Sequence, residues 1–328
     1  MNPSRKAGKF VRLSMAALAL AIAPLAGAAA QEPGRPITIV VPYTPGSGPD
    51  ILARVIGEEL QTKWNQPVVV DNKPGASGNI GAQFVARATP DGNTVMMTTN
   101  PFTANISLLK SVPYDPVKSF TPIIEVGVGA LALAVHPSLP VNSTAEFIAY
   151  LTAHPGEVNY GSPGVGTPHH LAMELFKLTA KVQMTHIPYR GSAGATSDLL
   201  GGHVKAAFQA IHVILPMSQA GQVRLLGLAS KARVKVAPDL ATLQEQGLKD
   251  FEVDLWYGIL APAGTPGEAV TRYNTAINEI LRKPEIVEKL GKQGLTVVGG
   301  TPAQLADFIA KDMTKWQNVV KEAGISAE

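Results

Sequence analysis

Short apolar runs alternate with stretches of helical periodicity along most of the chain. The run ITIVV (37–41) precedes residues 51–64, in which apolar side chains recur every three or four positions. The run PVVVDN repeats this order before the helical stretch NIGAQFVARA, and the run TVMMTT follows. Because strands covered on both faces read as unbroken apolar runs, this alternation predicts parallel β-sheet flanked by helices.

A second series of the same kind begins near residue 131. The stretch ALALAVHP predicts a buried strand, and Ser143 followed by Glu146 predicts the start of the next helix through a capping box. Three more helices of this part and of the C-terminus are predicted over 169–180, 193–200 and 302–323.

The two series predict two lobes rather than two domains in succession. No charge run or flexible linker interrupts the chain after its N-terminal segment. We therefore predict two α/β lobes joined by strands that cross between them near residues 131 and 255. Residues 31–130 and 256–328 are assigned to lobe 1, and residues 131–255 to lobe 2.

The N-terminal segment, residues 1–30, has the composition of a secretory signal peptide. Basic residues precede an apolar run that is short for a membrane span, and small residues end the segment at Ala30. We predict cleavage after Ala30, and a retained membrane anchor is the alternative. The segment carries four of the 28 basic residues and no acidic ones, which leaves 24 basic against 25 acidic residues. This balance gives no indication of a nucleic-acid partner.

The chain of 328 residues has no cysteine. Disulfide bonds, thiolate metal sites and cysteine nucleophiles are therefore excluded.

Three strand-to-helix turns share an arrangement of glycine, proline and tyrosine. They are PYTPGSGPD (42–50), NYGSPGVGTP (159–168) and PYRGSAGA (188–195). Such turns direct unpaired N–H groups and the positive end of a helix toward one point. The first is no dinucleotide fingerprint, because Ile51 stands where the third glycine belongs, and no Gly-Lys-Ser/Thr of a Walker loop follows it.

Turns of this kind lie at the carboxyl ends of strands, where open parallel sheets bind ligands. If two lobes face each other, their turns meet in one cleft. The N–H groups, small residues and hydroxyl groups of the turns predict a site for a small anion, and a carboxylate fits best.

These segments resemble the Bug family, the extracytoplasmic solute-binding proteins of tripartite tricarboxylate transporters. The resemblance covers the mature chain in order, through PYTPGSGPDILAR, VVVDNKPGASGNIGAQFVARATPDGNTVM, YGSPGVGTPHHLAMELF, HIPYRGSAGATSDLLGGHVKAAF and WYGILAPAGTP. It implies a periplasmic-binding-protein (Venus-flytrap) fold that closes on a small carboxylate in the periplasm. It also implies delivery of that carboxylate to the membrane subunits of a tripartite tricarboxylate transporter.

One departure from the family concerns the first turn. The family usually reads Pro-Gly-Gly-Pro-Thr-Asp there, whereas this chain reads PGSGPD. Ser47 adds a side chain and Pro49 removes an N–H donor, so the ligand preference of relatives does not transfer directly.

The resemblance maps the ligand loops to residues 43–50, 161–167 and 189–195, and two amides at strand ends are added from their position. The predicted ligand-binding residues are Tyr43, Ser47, Gly48, Asp50, Asn100, Ser162, Gly164, Gly166, Thr167, Tyr189, Arg190, Gly191, Ser192, Ala193 and Gln209.

Several of these residues have a second interpretation. Asp50 either contacts the ligand or caps the helix that it begins, and capping is favoured because a carboxylate there competes with an anion. Arg190 either grips a carboxylate or lies exposed at the rim of the cleft. Asn100 and Gln209 either bind the far end of a ligand or stabilise their own turns.

Three histidines are interpreted as structural residues, and the role of two aromatic residues is left open. Adjacent helical histidines, His169 and His170, point about 100° apart, so a helix-start pair is favoured over a metal site. His186 is interpreted as a strand residue. Trp256 and Tyr257 lie at the predicted crossover and either pack the hinge or line the pocket.

Two rival functions are considered. An exported serine hydrolase lacks support because no Gly-x-Ser-x-Gly occurs, although a triad of Ser162, His169 and Asp198 can be drawn. A ligand sensor for a membrane receptor uses the same fold and cannot be separated from a transport protein by sequence. We predict a monomeric binding protein, not an enzyme, without catalytic residues, metal or cofactor.

Overall fold

The computed structural model describes residues 35–325, so the predicted signal peptide, residues 1–30, lies outside the described residues. The strands are β1 (Ile37–Val41), β2 (Val68–Asn72), β3 (Thr94–Thr99), β4 (Phe120–Val135), β5 (Asn159–Ser162), β6 (Thr185–Pro188), β7 (Ala206–Ala210), β8 (Arg224–Leu228), β9 (Asp254–Pro262) and β10 (Leu295–Gly299). The helices are α1 (Gly48–Trp64), α2 (Asn79–Ala86), α3 (Pro101–Leu108), α4 (Thr144–Ala153), α5 (Pro168–Ala180), α6 (Ser192–Leu200), α7 (Ile211–Gln219), α8 (Gly267–Leu281), α9 (Pro284–Gly291) and α10 (Pro302–Ala323).

Strand β4 has 16 residues and takes part in two sheets. Residues 120–130 pair with β9, and residues 131–135 pair with β7 and β8. The strand order is β2-β1-β3-β9-β4-β7-β5-β6, with β8 and β10 also paired to β4. The predicted two-lobed α/β fold with crossing strands is therefore confirmed. β4 changes partners where the sequence places the first lobe boundary, but the division into residue ranges stays a prediction.

The strand directions make the two sets of turns face each other. β1 is parallel to β3, and both β3 and β4 are antiparallel to β9, so β1 and β3 run in the direction of β4. β7 is antiparallel to β4 and parallel to β5, so β5 and β7 run against β4. Because β4 leads from one sheet into the other, the carboxyl ends of both sets of strands point toward the junction.

The sheets are mixed, whereas the alternation of strands and helices alone predicted parallel sheet. The parallel pairs are β1 with β2 and β3, and β5 with β6 and β7. The antiparallel pairs all involve β4 or β9. These two strands carry the chain between the sheets in opposite directions, and apolar periodicity does not report strand direction.

The side chains of β4 alternate between two apolar cores. Leu131, Leu133 and Val135 belong to the large core on one face. Ala130 and Ala132 belong to a smaller core on the other face, against which α6 and α7 pack. Small side chains on this second face let α7 lie close to the strand, while α6 packs on β5 and β7.

Most predicted helices begin and end within a few residues of their expected positions, and two helices were missed. α5, α6 and α10 match the predicted 169–180, 193–200 and 302–323. Ser143 caps α4 as predicted, but the Glu146 carboxylate accepts from the N–H of Asn142 rather than that of Ser143. α3 has only eight residues, and α7 contains Pro216, so neither has a regular helical pattern.

None of the helices within residues 35–325 has the length and apolar character needed to span a membrane.

A buried carboxylate joins α10 to α3 and β9. Asp312 is 7% exposed, and its Oδ2 accepts hydrogen bonds from Thr103 Oγ1 at 2.6 Å and from Trp256 Nε1 at 3.1 Å. Burial raises the pKa of this carboxyl group, while Thr103, Lys315 and Trp256 lower it. These donors therefore stabilise the Asp312 carboxylate against the cost of burying it.

We expect Thr103→Val to destabilise the protein by about 2 kcal/mol, because a buried carboxylate oxygen loses a donor that water cannot replace. Urea unfolding monitored by circular dichroism measures this loss. Thr314→Val is the matched control: its hydroxyl donates to the carbonyl of Ala310 on the exposed face of α10. Equal losses for the two variants would show that the Asp312 contact adds no stability.

Candidate functional site

The first turn leaves the N-terminus of α1 without a side-chain cap. Ser47 is the N-cap residue, but its hydroxyl makes no capping bond. Its Oγ is buried and has no hydrogen-bond partner within residues 35–325. A methyl group placed on Gly48 would lie 2.5 Å from Tyr257 Oη. The positive end of α1 therefore faces a narrow polar space beside this tyrosine.

Asp50 is engaged in holding the first turn. It is 3% exposed, its Oδ2 accepts from the Gly46 N–H at 2.8 Å, and its Oδ1 accepts from Asn72 Nδ2 at 3.0 Å. Arg54 forms an ion pair with it at 2.9 Å. Burial raises the pKa of Asp50, but Arg54, Gly46 and Asn72 together hold it below its ordinary value. These bonds favour the structural interpretation, and a direct ligand contact by Asp50 stays a prediction.

The second turn is closed on itself by two hydroxyl groups. Ser162 Oγ lies 3.1 Å from the carbonyl oxygen of Gly164 and accepts from the Gly164 N–H at 3.2 Å. Thr167 is the N-cap residue of α5, and its Oγ1 donates to the Gly164 carbonyl at 2.8 Å. Gly164 has φ +143° and Gly166 has φ +77°, values that favour glycine. The backbone path of this turn is thus fixed before any ligand binds.

A stack of aromatic rings supports the second turn from behind. The rings of His170 and His186 are 4.1 Å apart, and His186 lies 4.8 Å from the ring of Tyr160. His186 Nε2 is 2.7 Å from Ser162 Oγ, and His170 Nδ1 accepts from the Gly166 N–H at 3.1 Å. The Gly166 N–H is therefore already used within the protein and is not a free donor for a ligand.

Burial keeps both histidines of the stack neutral. Together with His186 and Lys177, it lowers the pKa of His170 to about 3. Burial lowers the pKa of His186 to about 4, with Glu174 opposing and Lys177 adding to the effect. Neutral rings can accept hydrogen bonds from the turn, whereas protonated rings can only donate.

The third turn is bonded to the second and leaves the N-terminus of α6 open. The N–H groups of Tyr189 and Gly191 donate to the carbonyl oxygens of Ser162 at 2.9 Å and Pro163 at 3.0 Å. No side chain within the described residues caps α6, and Ser192 begins this helix. Its first turn is exposed, as Ser192, Ala193 and Gly194 show.

The two large side chains of this turn, Tyr189 and Arg190, differ in their surroundings. Tyr189 Oη donates a hydrogen bond to Asp198 Oδ2 at 2.5 Å. Desolvation, and to a smaller extent the neighbouring Asp198 carboxylate, raise the pKa of Tyr189 to about 12. Arg190 is exposed and makes no ion pair within residues 35–325. This exposure agrees with a place at the rim, one of the two interpretations considered from sequence, and both that place and a contact of Arg190 with a ligand stay predictions.

Contacts join the first turn to the second across the junction. A methyl group on Gly78 would lie 3.1 Å from Tyr43 Oη, and Asn105 Nδ2 donates to the Ser77 carbonyl at 3.1 Å. A methyl group on Gly166 would lie 3.8 Å from Asn105 Oδ1. The three predicted turns thus belong to one neighbourhood, as expected from the strand directions.

Strands β3 and β9 set the base of the cleft. Asn100 is 1% exposed; its Nδ2 donates to the Asp254 carbonyl at 2.9 Å, and its Oδ1 accepts from Thr99 Oγ1 at 3.0 Å. These bonds favour the structural interpretation of Asn100. Trp256 packs against Phe308 of α10. Tyr257, its neighbour in β9, has its hydroxyl beside Gly48 instead, and the hinge or pocket role of the two residues stays a prediction.

Gln209 in β7 is 1% exposed, and both its Nε2 and its Oε1 lack hydrogen-bond partners within the described residues. Thr196 in α6, which packs on β7, is 6% exposed and its Oγ1 also lacks a partner there. Buried amides and hydroxyls without partners are costly, so such groups indicate a bound molecule or ordered water. Thr196 was missed from sequence because a threonine inside a helix has no distinguishing pattern.

The catalytic triad considered from sequence, Ser162, His169 and Asp198, does not form. Ser162 contacts His186 rather than His169, it is fully buried, and Asp198 is bound to Tyr189. Among residues 35–325, no three histidine, cysteine, aspartate or glutamate side chains are grouped as metal ligands.

Comparisons with known proteins decide the family. Residues 52–325 match the family described as the tripartite tricarboxylate transporter family receptor, TctC. The chain belongs to this family. Protein BugT of Bordetella pertussis is 37% identical over 294 residues, which cover 89% of this chain and 90% of BugT. The resemblance to the Bug family is confirmed, and the family is one of solute-binding receptors.

Solved structures of the family have the same fold. R. palustris Rpa4515 with adipate has a TM-score of 0.83 and 35% identity, covering 90% of this chain and all of that one. MatC from Rhodopseudomonas palustris with bound malate has a TM-score of 0.78 and 30% identity, covering 88% of this chain and 99% of that one. Periplasmic binding protein BugD has a TM-score of 0.80 and 31% identity, covering 90% and 100%.

The histidine stack makes stability depend on pH. Below pH 6.5 the unfolded chain binds protons that folded His170 and His186 do not, so their contribution is present above pH 6.5 and is lost as pH falls toward 4. Half-buried Glu125 and Asp254, whose pKa values desolvation and neighbouring carboxylates raise to about 7, act in the opposite sense. The wild type alone therefore does not isolate the histidines.

We expect His170→Asn to lose less stability than the wild type between pH 6.5 and 4.5. The difference in unfolding free energy should change by at most about 1.4 kcal/mol per pH unit, the limit for one proton. Urea unfolding of both proteins across this range measures it. A difference that is constant with pH would contradict the neutral, buried state of His170.

Proposed function

We propose that this chain is a periplasmic solute-binding protein that captures a small organic carboxylate between two lobes for a tripartite tricarboxylate transporter. The observation that carries the proposal is that α1 and α6 both begin without a side-chain cap within residues 35–325, after strands β1 and β6 whose carboxyl ends point toward the junction. Membership of the receptor family and the family structures solved with adipate and malate support it. The signal peptide, residues 1–30, and cleavage after Ala30 are part of the proposal.

Recognition rests on fixed dipoles rather than on a buried countercharge. One carboxylate oxygen would accept hydrogen bonds from the first-turn N–H groups of α6, at Ser192 and Ala193. The N-terminus of α1 would approach the ligand from the other lobe, and the Ser47 hydroxyl would donate a hydrogen bond to it. Gly164 and Gly191 let the ligand come close to the backbone. Arg190 adds long-range attraction from the rim.

Gln209 and Thr196 would bind the part of the ligand away from the α6 N-terminus. An amide both donates and accepts, so Gln209 can pair with a second carboxylate, a hydroxyl or an amide of the ligand. The remaining predicted contacts, Tyr43, Gly48, Gly166, Thr167 and Tyr189, would shape the walls. Asp50, Asn100 and Ser162 would act by holding the turns.

Closure is proposed to turn about β4 and β9, which connect the lobes. Residues 31–130 and 256–328 form lobe 1 and residues 131–255 form lobe 2 in this proposal. In this proposal the protein acts as a monomer. It binds the ligand without changing it chemically, because Ser162 is buried and its hydroxyl is engaged by His186 and Gly164. The membrane subunits would receive the ligand from the closed form.

A thermal-shift screen of the exported protein against mono-, di- and tricarboxylic acids tests the function. A ligand at a thousand times its dissociation constant should stabilise the fold by about 4 kcal/mol, which raises the melting temperature clearly. The amide or ester of a positive acid is the control and should give no shift. Absence of any shift, with native mass spectrometry showing no ligand already bound, would refute carboxylate binding.

Gln209→Leu tests the contact away from α6. The variant should bind the acid found in the screen at least about tenfold more weakly, yet unfold at a higher temperature without ligand, because a buried amide without partners is removed. Gln246→Leu is the matched control: Gln246 Nε2 donates to the Leu226 carbonyl at 2.8 Å, so the same change should lower stability and leave affinity unchanged. Unchanged affinity in Gln209→Leu would remove Gln209 from the site.

A further inference from the structure

Helix α3 approaches the second turn at Leu108, which lies against Gly166. A methyl group placed on Gly166 would lie 2.6 Å from Leu108 Cδ1, well inside van der Waals distance. Leu108 is 4% exposed and belongs to the large apolar core, so its side chain has little room to move away. Gly166 is buried as well. The absence of a side chain at residue 166 is therefore a condition for this contact.

The Gly166 side of the contact is held by His170. Nδ1 of His170 accepts the Gly166 N–H at 3.1 Å, so this nitrogen carries no proton. The proton then lies on Nε2, which faces Glu174 Oε1 at 3.9 Å, and Lys177 binds the same carboxylate at 2.7 Å. Stacking on His186 fixes the plane of the His170 ring. The peptide of Gly166 is thus oriented by a side chain that lies behind the turn.

The Leu108 side is held by Asn105, one turn earlier in α3. Asn105 Nδ2 donates to the Ser77 carbonyl at 3.1 Å and to Asn79 Oδ1 at 2.8 Å. Ala76 and Ser77 have φ values of +46° and +53°, which non-glycine residues adopt only when surrounding contacts hold them. This left-handed turn lies against Tyr43 through Gly78. Leu108 is therefore tied to the wall that carries the first ligand turn.

We propose that Leu108 seated on Gly166 is the contact that closes the two lobes, and that His170 is the positioning residue that holds the Gly166 peptide in place for it. The proposal rests on the proposed function in that the lobes close around a ligand. It assigns to Leu108 and His170 a role in closure rather than in touching the ligand, and it gives Gly166 a role in closure besides its place in the wall. Because the contact joins two parts of the chain and includes no ligand atom, it should favour closure in the ligand-free protein as well.

A second explanation of Gly166 is its backbone angle alone. Alanine at φ +77° is strained wherever it occurs. Gly156, in the turn between α4 and β5, has φ +78° and no atom within 4 Å of an added methyl group. Gly156→Ala therefore carries the same backbone strain without the contact, and it is the matched control for Gly166→Ala.

Distance measurement between spin labels tests the proposal without any ligand. The chain has no cysteine, so cysteines introduced at Arg87 and Ser197, both exposed and on opposite sides of the junction, are the only labelling sites. Double electron–electron resonance on the exported protein then gives the populations of short and long interlobe distances. Melting temperatures confirm that each variant is folded.

We expect Gly166→Ala to reduce the ratio of closed to open molecules by about tenfold relative to Gly156→Ala, as overpacking a close contact does. Adding Leu108→Ala to Gly166→Ala should restore most of the closed population, because the methyl group then has space. Equal populations in the two glycine variants, or no restoration by Leu108→Ala, would overturn the contact. A wild type with no short-distance population would also overturn it.

The positioning role of His170 has its own pair of variants. Asparagine places an oxygen acceptor near the position of Nδ1, whereas leucine places none there. His170→Asn should retain most of the closed population and His170→Leu should lose it, while both stay folded. Equal loss in both variants would reduce His170 to a packing role. Because these results need no ligand, a failed carboxylate screen and a failed closure experiment remain distinguishable.

Discussion

Everything in the cleft depends on the continuity of β4. One strand of 16 residues pairs with β9 in its first part and with β7 and β8 in its last part, so it sets the direction of both sheets. Strands β1 and β3, which run in the direction of β4, and strands β5 and β7, which run against it, therefore all end at the junction between the two sheets. The glycine-rich turns are thereby brought together from distant parts of the sequence, because the strands before them end toward the junction. Two strands also form a narrow connection, which permits hinge motion between rigid halves.

The site that results is polar and almost without buried positive charge. In the proposed mode of binding, the attraction for an anion comes from helix ends and N–H groups, which are fixed by the fold and need no reorganisation when a ligand enters. Charged and titratable side chains lie one layer further out and hold the turns. Asp50 with Arg54 does so in the first turn, and neutral His170 with His186 does so in the second. This division suits a receptor that must bind and release a charged ligand.

Glycine has two different uses among the turns. At Gly164 and Gly191 the backbone requires a positive φ, which a turn signal in the sequence already indicates. At Gly166 the positive φ is joined by a neighbour, Leu108, that is 58 positions away in the chain and leaves no space for a methyl group. At Gly48 the neighbour is Tyr257. Local pattern reveals the first use, and only the tertiary structure reveals the second.

The sequence by itself determined the α/β class, the two lobes, the family and the three turns, because apolar periodicity and turn residues are local properties of the chain. It did not determine the antiparallel crossing of β9 or the helices α3 and α7, since strand direction and short or proline-containing helices depend on packing. Nor did it determine that the Gly166 N–H donates to His170, or that the Gln209 amide has no hydrogen-bond partner among residues 35–325. Those facts depend on which side chains arrive from elsewhere in the chain, and only the folded arrangement of the two lobes decides that.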